Sequence, residues 1–436
     1  MLNKTISMEQ QELHDPKYVQ LDSRAKETFE LESIKKLLKR VNQQGLFYQK
    51  KLQAVGFDMN DLRSMEDFHQ IPFTTKEELR EAYPLGIQAV PGREIVRIHS
   101  SSGTTGLPII IPYTRKDVQD WAIMFARCFA YAGLTREDRV QITPGYGLWT
   151  AGIGFQAGVE RLGAMAIPMG PGNTEKQLQM MVDLKSTVLC STSSYALLLA
   201  EEVQKRHLMD KVHLKIGIIG SERWGDKMRS RIEKELDIES YDIYGLTEIY
   251  GPGIGIDCQF HQGIHYWSDY LYFEIIDPLT GKVLPQGEMG ELVITTLVKE
   301  GAPLIRYRTH DLTRMIPGVC ECGSIYPRID RILGRSDDMI KIKGVNIYPG
   351  QIEDVLKETP GASSEYQIRL SRLDARDQML LRVEGENGVD PGKLMELIGM
   401  NFKKRIGIII NVEVVTVGSL PRSEKKSKRV IDERDI

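Results

Sequence analysis

The chain has 436 residues and carries 57 Lys+Arg against 60 Asp+Glu, which gives a formal net charge of −3 at pH 7. This length suits two to three domains with a substantial core. The balanced charge argues against nonspecific nucleic-acid binding as the main role. A hydrophobic content of 41% is typical of a globular protein and excludes extended disorder.

The five cysteines are too few for a disulfide scaffold, and their odd number indicates reduced thiols or a metal site. The first twenty residues lack the apolar core of a signal peptide. The most apolar stretch, residues 406–417, is too short to cross a bilayer and is predicted to be a buried strand. We therefore expect a cytoplasmic protein without a membrane segment.

The chain begins with a helical pattern, in which Leu31, Ile34, Leu38 and Val41 share one face. The spacing of Thr75 and Glu78 predicts a capping box at a second helix. Four short apolar runs then alternate with amphipathic helical patterns, which predicts an α/β sheet with parallel strands. The runs are residues 138–143, 164–169, 187–191 and 215–219, and the clearest helical patterns between them are 174–185 and 195–206.

Beyond about residue 255 the pattern changes to strands joined by tight turns, with strands predicted at 270–277 and 291–297. A polar break at residues 335–338 is followed by strands and two helical stretches, 349–358 and 391–404. The break therefore marks a boundary between a large domain and a small one.

Residues 100–108, Ser-Ser-Ser-Gly-Thr-Thr-Gly-Leu-Pro, follow an apolar run. Glycines let backbone amides approach an anion and the hydroxyls add donors, so this loop can hold phosphates. It is not a Walker A loop, because no Gly-Lys-Ser/Thr ends it. By itself, such a cluster is also typical of a flexible turn.

Other segments offer groups suited to a nucleotide. Thr247 and Glu248, just after a predicted strand, can hold a phosphate oxygen and Mg²⁺. Asp311 can accept hydrogen bonds from ribose hydroxyls, and residues 334–338 and the lysine-rich 421–426 complete the set. Each alone has an ordinary explanation, such as a helix start, a turn or a solvated face.

Together and in this order, the motifs resemble those of the adenylate-forming superfamily of acyl-CoA synthetases and luciferase-like enzymes, over essentially the whole chain. The resemblance is closest to the phenylacetate-CoA ligase family, on residues 71–78, 145–148, 172–175, 242–248, 306–309 and 343–346. It implies an α/β fold with a large N-terminal adenylation domain, residues 1–334, made of α/β sheets plus a β-rich subdomain. A small α+β C-terminal domain, residues 335–436, would follow after a hinge.

The resemblance implies an AMP-forming acid–thiol ligase, which activates an aryl or arylacetic acid with ATP and Mg²⁺ as an acyl-adenylate and transfers the acyl group to coenzyme A. An enzyme that loads a carrier-protein thiol is the alternative. A sensor that has lost catalysis is a third hypothesis, against which Glu248, Asp311 and Lys426 argue. The expected partners are the acid, ATP and CoA, with a second copy of the chain as a further candidate and no nucleic acid or membrane.

The resemblance also assigns roles to individual residues. Those implied for the phosphates and Mg²⁺ are Ser101, Ser102, Gly103, Thr104, Thr105, Gly106, Thr247 and Glu248. Those implied for adenine and ribose are Ser221, Glu222, Asp242, Ile243, Tyr244, Asp311 and Arg335. Those implied for the acyl group are Tyr146, Trp149, Gly220 and Pro252. Asp337 stands at the hinge, and Lys426 would contact the acyl carboxylate and the α-phosphate, acting in catalysis with Thr247 and Glu248.

The chain departs from the family pattern in two places. Lys425 replaces the usual Gly, so Lys425, Lys426 and Lys428 compete for the catalytic role, although the spacing from Pro421 favours Lys426. Pro144 stands where relatives that use phenylacetate often carry an aromatic residue, and Trp149 stands where Phe is frequent. We therefore expect a reshaped acyl pocket, and phenylacetate stays open as the substrate.

Cys320 and Cys322 lie in a short turn, and Cys258 and His265 lie upstream in the same predicted β-rich region. Three cysteines and one histidine are a structural zinc set, which the placement of Cys and His in related ligases supports. His261 competes with His265, and unligated thiols are the alternative to zinc. Cys128 and Cys190 are predicted to be buried core residues.

Overall fold

The computed structural model describes residues 13–101, 107–222, 224–342, 345–373, 376–422 and 429–434. Within these ranges no helix is both long enough and apolar enough to cross a membrane. In chain order the helices are α1 Pro16–Val19, α2 Ser23–Gln44, α3 Leu46–Ala54, α4 Met65–Phe68, α5 Lys76–Glu81, α6 Arg115–Tyr131, α7 Ala151–Leu162, α8 Thr174–Asp183, α9 Ser193–Lys205, α10 Asp226–Leu236, α11 Pro349–Lys357 and α12 Pro391–Ile406.

The strands are short except for one long hairpin near the C-terminal end. They are β1 Ile95–Ser100, β2 Ile110–Thr114, β3 Arg139–Ile142, β4 Met165–Pro168, β5 Val188–Thr192, β6 Ile216–Gly220, β7 Glu239–Leu246, β8 Gly251–Asp257, β9 Ile264–Tyr266, β10 Leu271–Ile276, β11 Gly290–Thr296, β12 Tyr307–Thr313, β13 Met315–Ile316, β14 Arg328–Ile329, β15 Gly334–Arg335, β16 Ile340–Ile342, β17 Val345–Ile347, β18 Ala362–Leu373, β19 Arg376–Gly385, β20 Asn411–Val415 and β21 Val430–Asp432.

One compact unit combines the described residues up to Gly170 with Tyr241–Arg331. Strands β3 and β4 are parallel, whereas β7, β8, β9, β14 and β13 pair antiparallel in that order. Strands β10, β11 and β12 form a separate antiparallel sheet. Helix α2 buries Ile34, Leu38 and Val41 in a core that includes Ile305, which confirms the predicted apolar face.

The other unit combines Pro171–Ser240 with the described residues from Ile332 onward. Parallel strands β5 and β6 share a core with helices α8 to α10. A four-stranded sheet in the order β20-β19-β18-β21 forms a second core with helices α11 and α12. The mixed α/β architecture and the parallel pairs confirm the predicted fold class.

The prediction of a buried strand at residues 406–417 was wrong. Helix α12 continues to Ile406 and ends at Gly407, whose φ of +90° favours glycine. Only Asn411–Val415 forms a strand, and its side chains are exposed or half-buried because β20 is an edge strand. The apolar run therefore combines the end of a helix with a sheet edge.

Two local predictions are confirmed at atomic detail. Thr75 Oγ1 accepts a hydrogen bond from the Glu78 N–H at 3.3 Å, and Glu78 Oε2 accepts one from the Thr75 N–H at 2.8 Å, which makes a reciprocal capping box at helix α5. Cys128 and Cys190 are fully buried thiols.

Candidate active site

The Asp311 carboxylate is held by the motif that precedes Glu248. It lies in strand β12 and is 9% exposed, and the Tyr244 hydroxyl donates a 2.6 Å hydrogen bond to its Oδ2. The Asp311 N–H donates to Thr309 Oγ1 at 3.0 Å. Asp242 and Ile243 precede Tyr244 in strand β7. The structure therefore brings together two motifs that lie 67 positions apart.

Thr247 and Glu248 lie in a turn between strands β7 and β8, where the chain is too crowded for larger residues. A Cβ atom at Gly245 would lie 2.1 Å from the Gly251 carbonyl oxygen, and Gly251 has a φ of +114°. The Thr247 hydroxyl lies 3.4 Å from the Thr150 hydroxyl. The turn therefore depends on glycine for its shape and fixes the direction of the two motif side chains.

The Glu248 carboxylate faces a lysine from far earlier in the chain. Lys76 Nζ lies 3.5 Å from Glu248 Oε1, and the two side chains are 29% and 7% exposed. Lys76 is the first residue of helix α5. The sequence patterns placed it in a stretch that supports the family resemblance but gave it no role. The capping box of Thr75 and Glu78 marks the start of this helix in the sequence and so indicates where Lys76 lies.

Sequence patterns did not indicate Lys299, a second lysine near the same turn. Lys299 is buried, with Nζ 4.4 Å from the ring centroid of Tyr113 and 4.6 Å from that of Tyr250. It donates a hydrogen bond to the carbonyl oxygen of Ile249. Burial lowers the pKa of Lys299 to about 7, although the charges of Asp117 and Glu248 oppose the shift. Since Ile249 follows Glu248, this hydrogen bond ties the turn to the buried Lys299 side chain.

We expect Lys299→Met to change how stability depends on pH. The pKa falls from 10.5 to about 7 on folding, so folding releases this proton between those values. The free energy of unfolding therefore rises with pH between about 7 and 10.5. Below about pH 7 the contribution of Lys299 to the free energy of unfolding is constant and at its lowest. Urea titrations at about pH 7.5 and about pH 9.5 should show the wild type gaining about 2 kcal/mol on the variant between the two conditions.

Lys116→Met is the matched control, because Lys116 lies on the surface of helix α6 with 47% of its side chain exposed. The wild type and this control should differ by the same amount at both pH values. A wild-type advantage over Lys299→Met that does not change with pH would contradict the assignment.

The candidate phosphate loop is described only at its base. Ser102, Gly103, Thr104, Thr105 and Gly106 lie outside the described residues. Strands β1 and β2, on either side, pair antiparallel. The Ser101 N–H donates to the Ile109 carbonyl oxygen at 3.0 Å, and the Ile109 N–H donates to Ser101 Oγ at 2.9 Å. The two sides of the loop are therefore held together at its base.

Two of the acyl-site candidates pack against bare glycine backbone. A Cβ on Gly145 would lie 3.0 Å from the Trp149 ring, and one on Gly152 would lie 2.6 Å from the Tyr146 ring. Trp149 is 46% exposed. Pro252 belongs to the same unit, in strand β8, and its carbonyl oxygen accepts a 2.8 Å hydrogen bond from the indole of Trp121. The glycines therefore set the positions of both aromatic rings.

The candidates Gly220, Ser221 and Glu222 belong to the other unit. Gly220 ends strand β6, and Ser221 follows it with a φ of +67°. The Glu222 carboxylate accepts hydrogen bonds from Ser193 Oγ at 3.0 Å and from the Ser194 N–H and Oγ at 2.9 and 2.6 Å. These bonds satisfy donors at the start of helix α9 and fix the segment after β6.

Arg335 and Asp337, the candidates for ribose binding and for the hinge, are paired with each other. The Arg335 Nε and Nη2 atoms donate to the two carboxylate oxygens of Asp337, each at 2.8 Å. Such a two-point contact fixes both side chains in one plane. One substitution at either position therefore disturbs both proposed roles.

The lysine candidates Lys425, Lys426 and Lys428 lie outside the described residues. Just before them, Arg422 donates to Glu384 at 3.0 and 2.9 Å and to Glu201 at 2.9 Å. The Glu384 side chain is fully buried, so its charge needs this partner. The chain that leads to the lysines is therefore anchored at Arg422.

Cys258, His265, Cys320 and Cys322 form a compact cluster whose ligand atoms all lie within 4.8 Å of one another. The Cys258 and Cys320 sulfurs are 3.7 Å apart, and Cys322 Sγ lies 3.4 Å from His265 Nε2. On a tetrahedral zinc, two cysteine sulfurs would be about 3.8 Å apart, and a sulfur and a histidine nitrogen would be about 3.6 Å apart. The donor set and its spacing therefore fit zinc.

The structure distinguishes the two competing histidines. His265 Nδ1 lies 3.0 Å from the Tyr326 carbonyl oxygen, so it carries the proton and leaves the Nε2 lone pair for the cysteine side. His261 instead contacts Asp257 at 2.8 Å and does not belong to the cluster. Among the described residues, His265 is the nitrogen donor of this set.

The family of the chain follows from comparison with known proteins. The family model described as AMP-binding enzyme matches residues 18–297, and the one described as AMP-binding enzyme C-terminal domain matches residues 344–434. The chain therefore belongs to the AMP-binding enzyme family. It is 42% identical to the phenylacetate-coenzyme A ligase of Pseudomonas putida over 93% of both chains. It is 40% identical to that of Escherichia coli (strain K12) over 94% of this chain and 95% of the relative.

Within that family the chain is a member of the phenylacetate-CoA ligase group, and its reaction class is AMP-forming acid–CoA ligation. Among solved structures, it is similar to 2-hydroxyisobutyryl-CoA ligase in the postadenylation state in complex with R3-HIB-AMP. The TM-score is 0.88 at 29% identity, over 96% of this chain and 92% of that chain. The same ligase with 2-HIB-AMP and CoA in the thioesterification state gives a TM-score of 0.71. These likenesses confirm the predicted superfamily.

Proposed function

We propose that this ligase activates an aromatic carboxylic acid, aryl or arylacetic, and transfers the acyl group to coenzyme A. The observation that carries the proposal is the contact between Tyr244 and Asp311 beside the Thr247–Glu248 turn. This contact supports the proposal, since Asp311 and Glu248, the carboxylates proposed for ribose and Mg²⁺, belong to one unit. Relatives that share about two-fifths of the sequence are phenylacetate-CoA ligases, which supports an aromatic acid.

Each site residue has a role under this proposal. Glu248 would hold Mg²⁺, whose charge neutralises the phosphates when it is bound. Asp311 and Arg335 bind the ribose. Ser221, Glu222, Asp242, Ile243 and Tyr244 flank the adenine. Residues 101–106 and Thr247 bind the phosphates, since hydroxyl and amide donors suit anionic oxygens.

The reaction has two steps. A carboxylate oxygen of the acid attacks the α-phosphorus of ATP, and the bond to pyrophosphate breaks. Both reactants are anionic, so Lys426 is needed to neutralise charge where they meet. The CoA thiol releases its proton to water, its sulfur attacks the acyl carbon, and AMP leaves with the electron pair of the broken acyl–oxygen bond.

Residues 335–436 form the proposed mobile domain, which turns about Asp337 between the steps and withdraws Lys426. A separate family model that covers residues 344–434 supports this division. A hydrophobic core built within that stretch from residues such as Ile352, Ile368 and Phe402 also supports it. A segment with its own core can move as one body.

Lys426→Ala should separate the two steps. We expect acid-dependent pyrophosphate release to fall by at least about 100-fold, as for the loss of one charge-stabilising donor. Thioester formation from supplied acyl-adenylate should survive, because the side chain is used in one conformation only. Lys425→Ala and Lys428→Ala, measured in the same two assays, decide between the three lysines. Loss of both steps, or of neither, in Lys426→Ala would count against its role.

Aromatic or similarly flat acids should be better substrates than acetate or long linear acids. The Tyr146 and Trp149 rings pack on glycine backbone and present flat apolar surfaces. A panel of benzoate, phenylacetate, acetate and a long-chain fatty acid, with AMP release as the readout, tests this by kcat/KM. The idea fails if acetate or the fatty acid equals the best aromatic acid. Omitting CoA and adding a carrier protein tests the alternative acceptor.

The cluster of Cys258, His265, Cys320 and Cys322 is proposed to hold a structural Zn²⁺. Four protein ligands complete a tetrahedral set and leave no position for substrate. Cys258 follows strand β8, and Cys320 lies 62 positions later. A shared metal would therefore stabilise the β-rich region by closing a long loop.

Replacing Cys320 and Cys322 with Ser should remove bound zinc and lower the melting temperature by at least about 5 °C. Activity per folded molecule should be unchanged, because the ligands lie outside the nucleotide motifs. Elemental analysis of protein purified without chelator should find about one zinc per chain. Glu321→Gln, an exposed change between the two cysteines, is the control and should keep the metal. Absence of zinc in the wild type would refute the site.

Cytoplasmic location and association into a homodimer are also part of this proposal. None of the five cysteines, all of which lie in the described residues, forms a disulfide, which supports a reducing compartment. Light scattering of the purified chain measures the oligomeric state directly. A monomer would remove the homodimer from the proposal and leave the chemistry untouched.

A further inference from the structure

Lys76 begins a six-residue helix, and the backbone just before it is hydrogen-bonded to a distant part of the chain. The Thr74 N–H donates to the Arg306 carbonyl oxygen, and the Arg308 N–H donates to the Thr74 carbonyl oxygen, each at 2.9 Å. These bonds attach the segment to the chain that enters strand β12. Asp311 lies in the same strand. The backbone that precedes Lys76 is therefore fixed relative to the candidate ribose carboxylate.

A second set of contacts fixes the same helix from the other side. Lys51 Nζ donates to the Phe73 carbonyl oxygen at 2.5 Å and to both oxygens of Glu78 at 2.5 and 2.7 Å. Glu78 is also the capping-box acid of helix α5. The helix start can therefore shift little, and Lys76 keeps its ammonium group near Glu248.

The ion pair of Lys76 with Glu248 has one charge that is nearly buried and one that is partly solvated. A buried carboxylate is costly without a cation, so the lysine stabilises Glu248 when no metal ion is bound. A divalent ion at Glu248 competes for the same carboxylate. The lysine must then pair with another anion or return to water.

We propose that Lys76 binds the β- and γ-phosphates of ATP, and hence the departing pyrophosphate, once Mg²⁺ occupies Glu248. The proposal rests on the proposed function, since it takes Glu248 as the Mg²⁺ ligand. The magnesium complex of ATP keeps a net negative charge. Its phosphates would therefore supply a new anionic partner for Lys76, which already lies beside Glu248. Lysine is well suited to this role as a point charge on a flexible stem.

The proposal divides the cationic side chains between the two ends of the polyphosphate. Lys426 acts at the α-phosphate, where the acid attacks, and Lys76 acts at the end that leaves. Negative charge accumulates on the leaving pyrophosphate as its bond to the α-phosphorus breaks. A contact that strengthens during this step lowers the barrier and improves ATP binding.

Nucleotide binding to the full chain in the presence of Mg²⁺ and absence of acid tests this role. We expect Lys76→Met to raise the Kd of ATP by about 10- to 100-fold, as for the loss of one charge-assisted contact. The Kd of AMP, which lacks the β- and γ-phosphates, should change by less than about twofold, within the scatter of distant substitutions. Lys76→Arg should restore much of the ATP affinity. Equal weakening of ATP and AMP would overturn the proposal.

A double substitution separates phosphate binding from simple charge compensation of Glu248. In a Glu248→Gln background there is no carboxylate for Lys76 to neutralise. If Lys76 binds phosphate, Lys76→Met should still weaken ATP relative to AMP in that background. If the lysine serves only Glu248, the second substitution should have no effect, and the proposal is wrong.

Lys116→Met is the control for removing a lysine at the first turn of a helix. Lys116 pairs with Asp120 on helix α6, and its loss should leave both nucleotide affinities unchanged. Acid-dependent pyrophosphate release by the wild type is measured in parallel. Normal acid activation with unchanged ATP affinity in Lys76→Met refutes this proposal alone. Absence of acid activation in the wild type, with the ATP-specific defect still present, refutes the proposed function instead.

Discussion

The short turn between strands β7 and β8 is the constraint on which the candidate site depends. It carries Thr247 and Glu248, and the backbone around it leaves no space for a side chain at Gly245. Lys299 donates a hydrogen bond to the Ile249 carbonyl oxygen, and its Nζ lies close to the rings of Tyr113 and Tyr250. Because the turn is fixed by buried contacts, its carboxylate is positioned before any ligand arrives. Such preorganisation reduces the reorganisation that the reaction itself must supply.

The same turn shows why charge must be balanced in detail here. Glu248 is nearly buried and has Lys76 at 3.5 Å, and Lys299 is fully buried in the same region. Lys299 has a pKa of about 7 and also faces the charge of the buried Asp117, so Lys76 is the lysine that balances the charge of Glu248.

The candidate nucleotide groups could be located from sequence, because they lie in short segments with a recognisable order. Asp311 and Glu248 could be identified singly, but their link through the Tyr244 hydroxyl required the strands to be paired in space. Lys299 was not predictable, since a lysine after an apolar run usually lies at the surface. The error at residues 406–417 has a similar origin: composition shows that a stretch is apolar, but not that a helix ends inside it.

The cysteine cluster lies at the far end of strand β8 from the turn that carries Thr247 and Glu248. Strand β8 starts directly after the turn and ends at Asp257, and Cys258 is the next residue. The seven residues of strand β8 separate the two sites and would span about 23 Å at most, if they were fully extended. A metal held there would fix the β8–β9 end of the sheet without touching a nucleotide. Under the proposed roles, the metal ligand Cys258 and the Mg²⁺ ligand Glu248 lie beyond opposite ends of one strand, so loss of the metal leaves the Glu248 carboxylate in place.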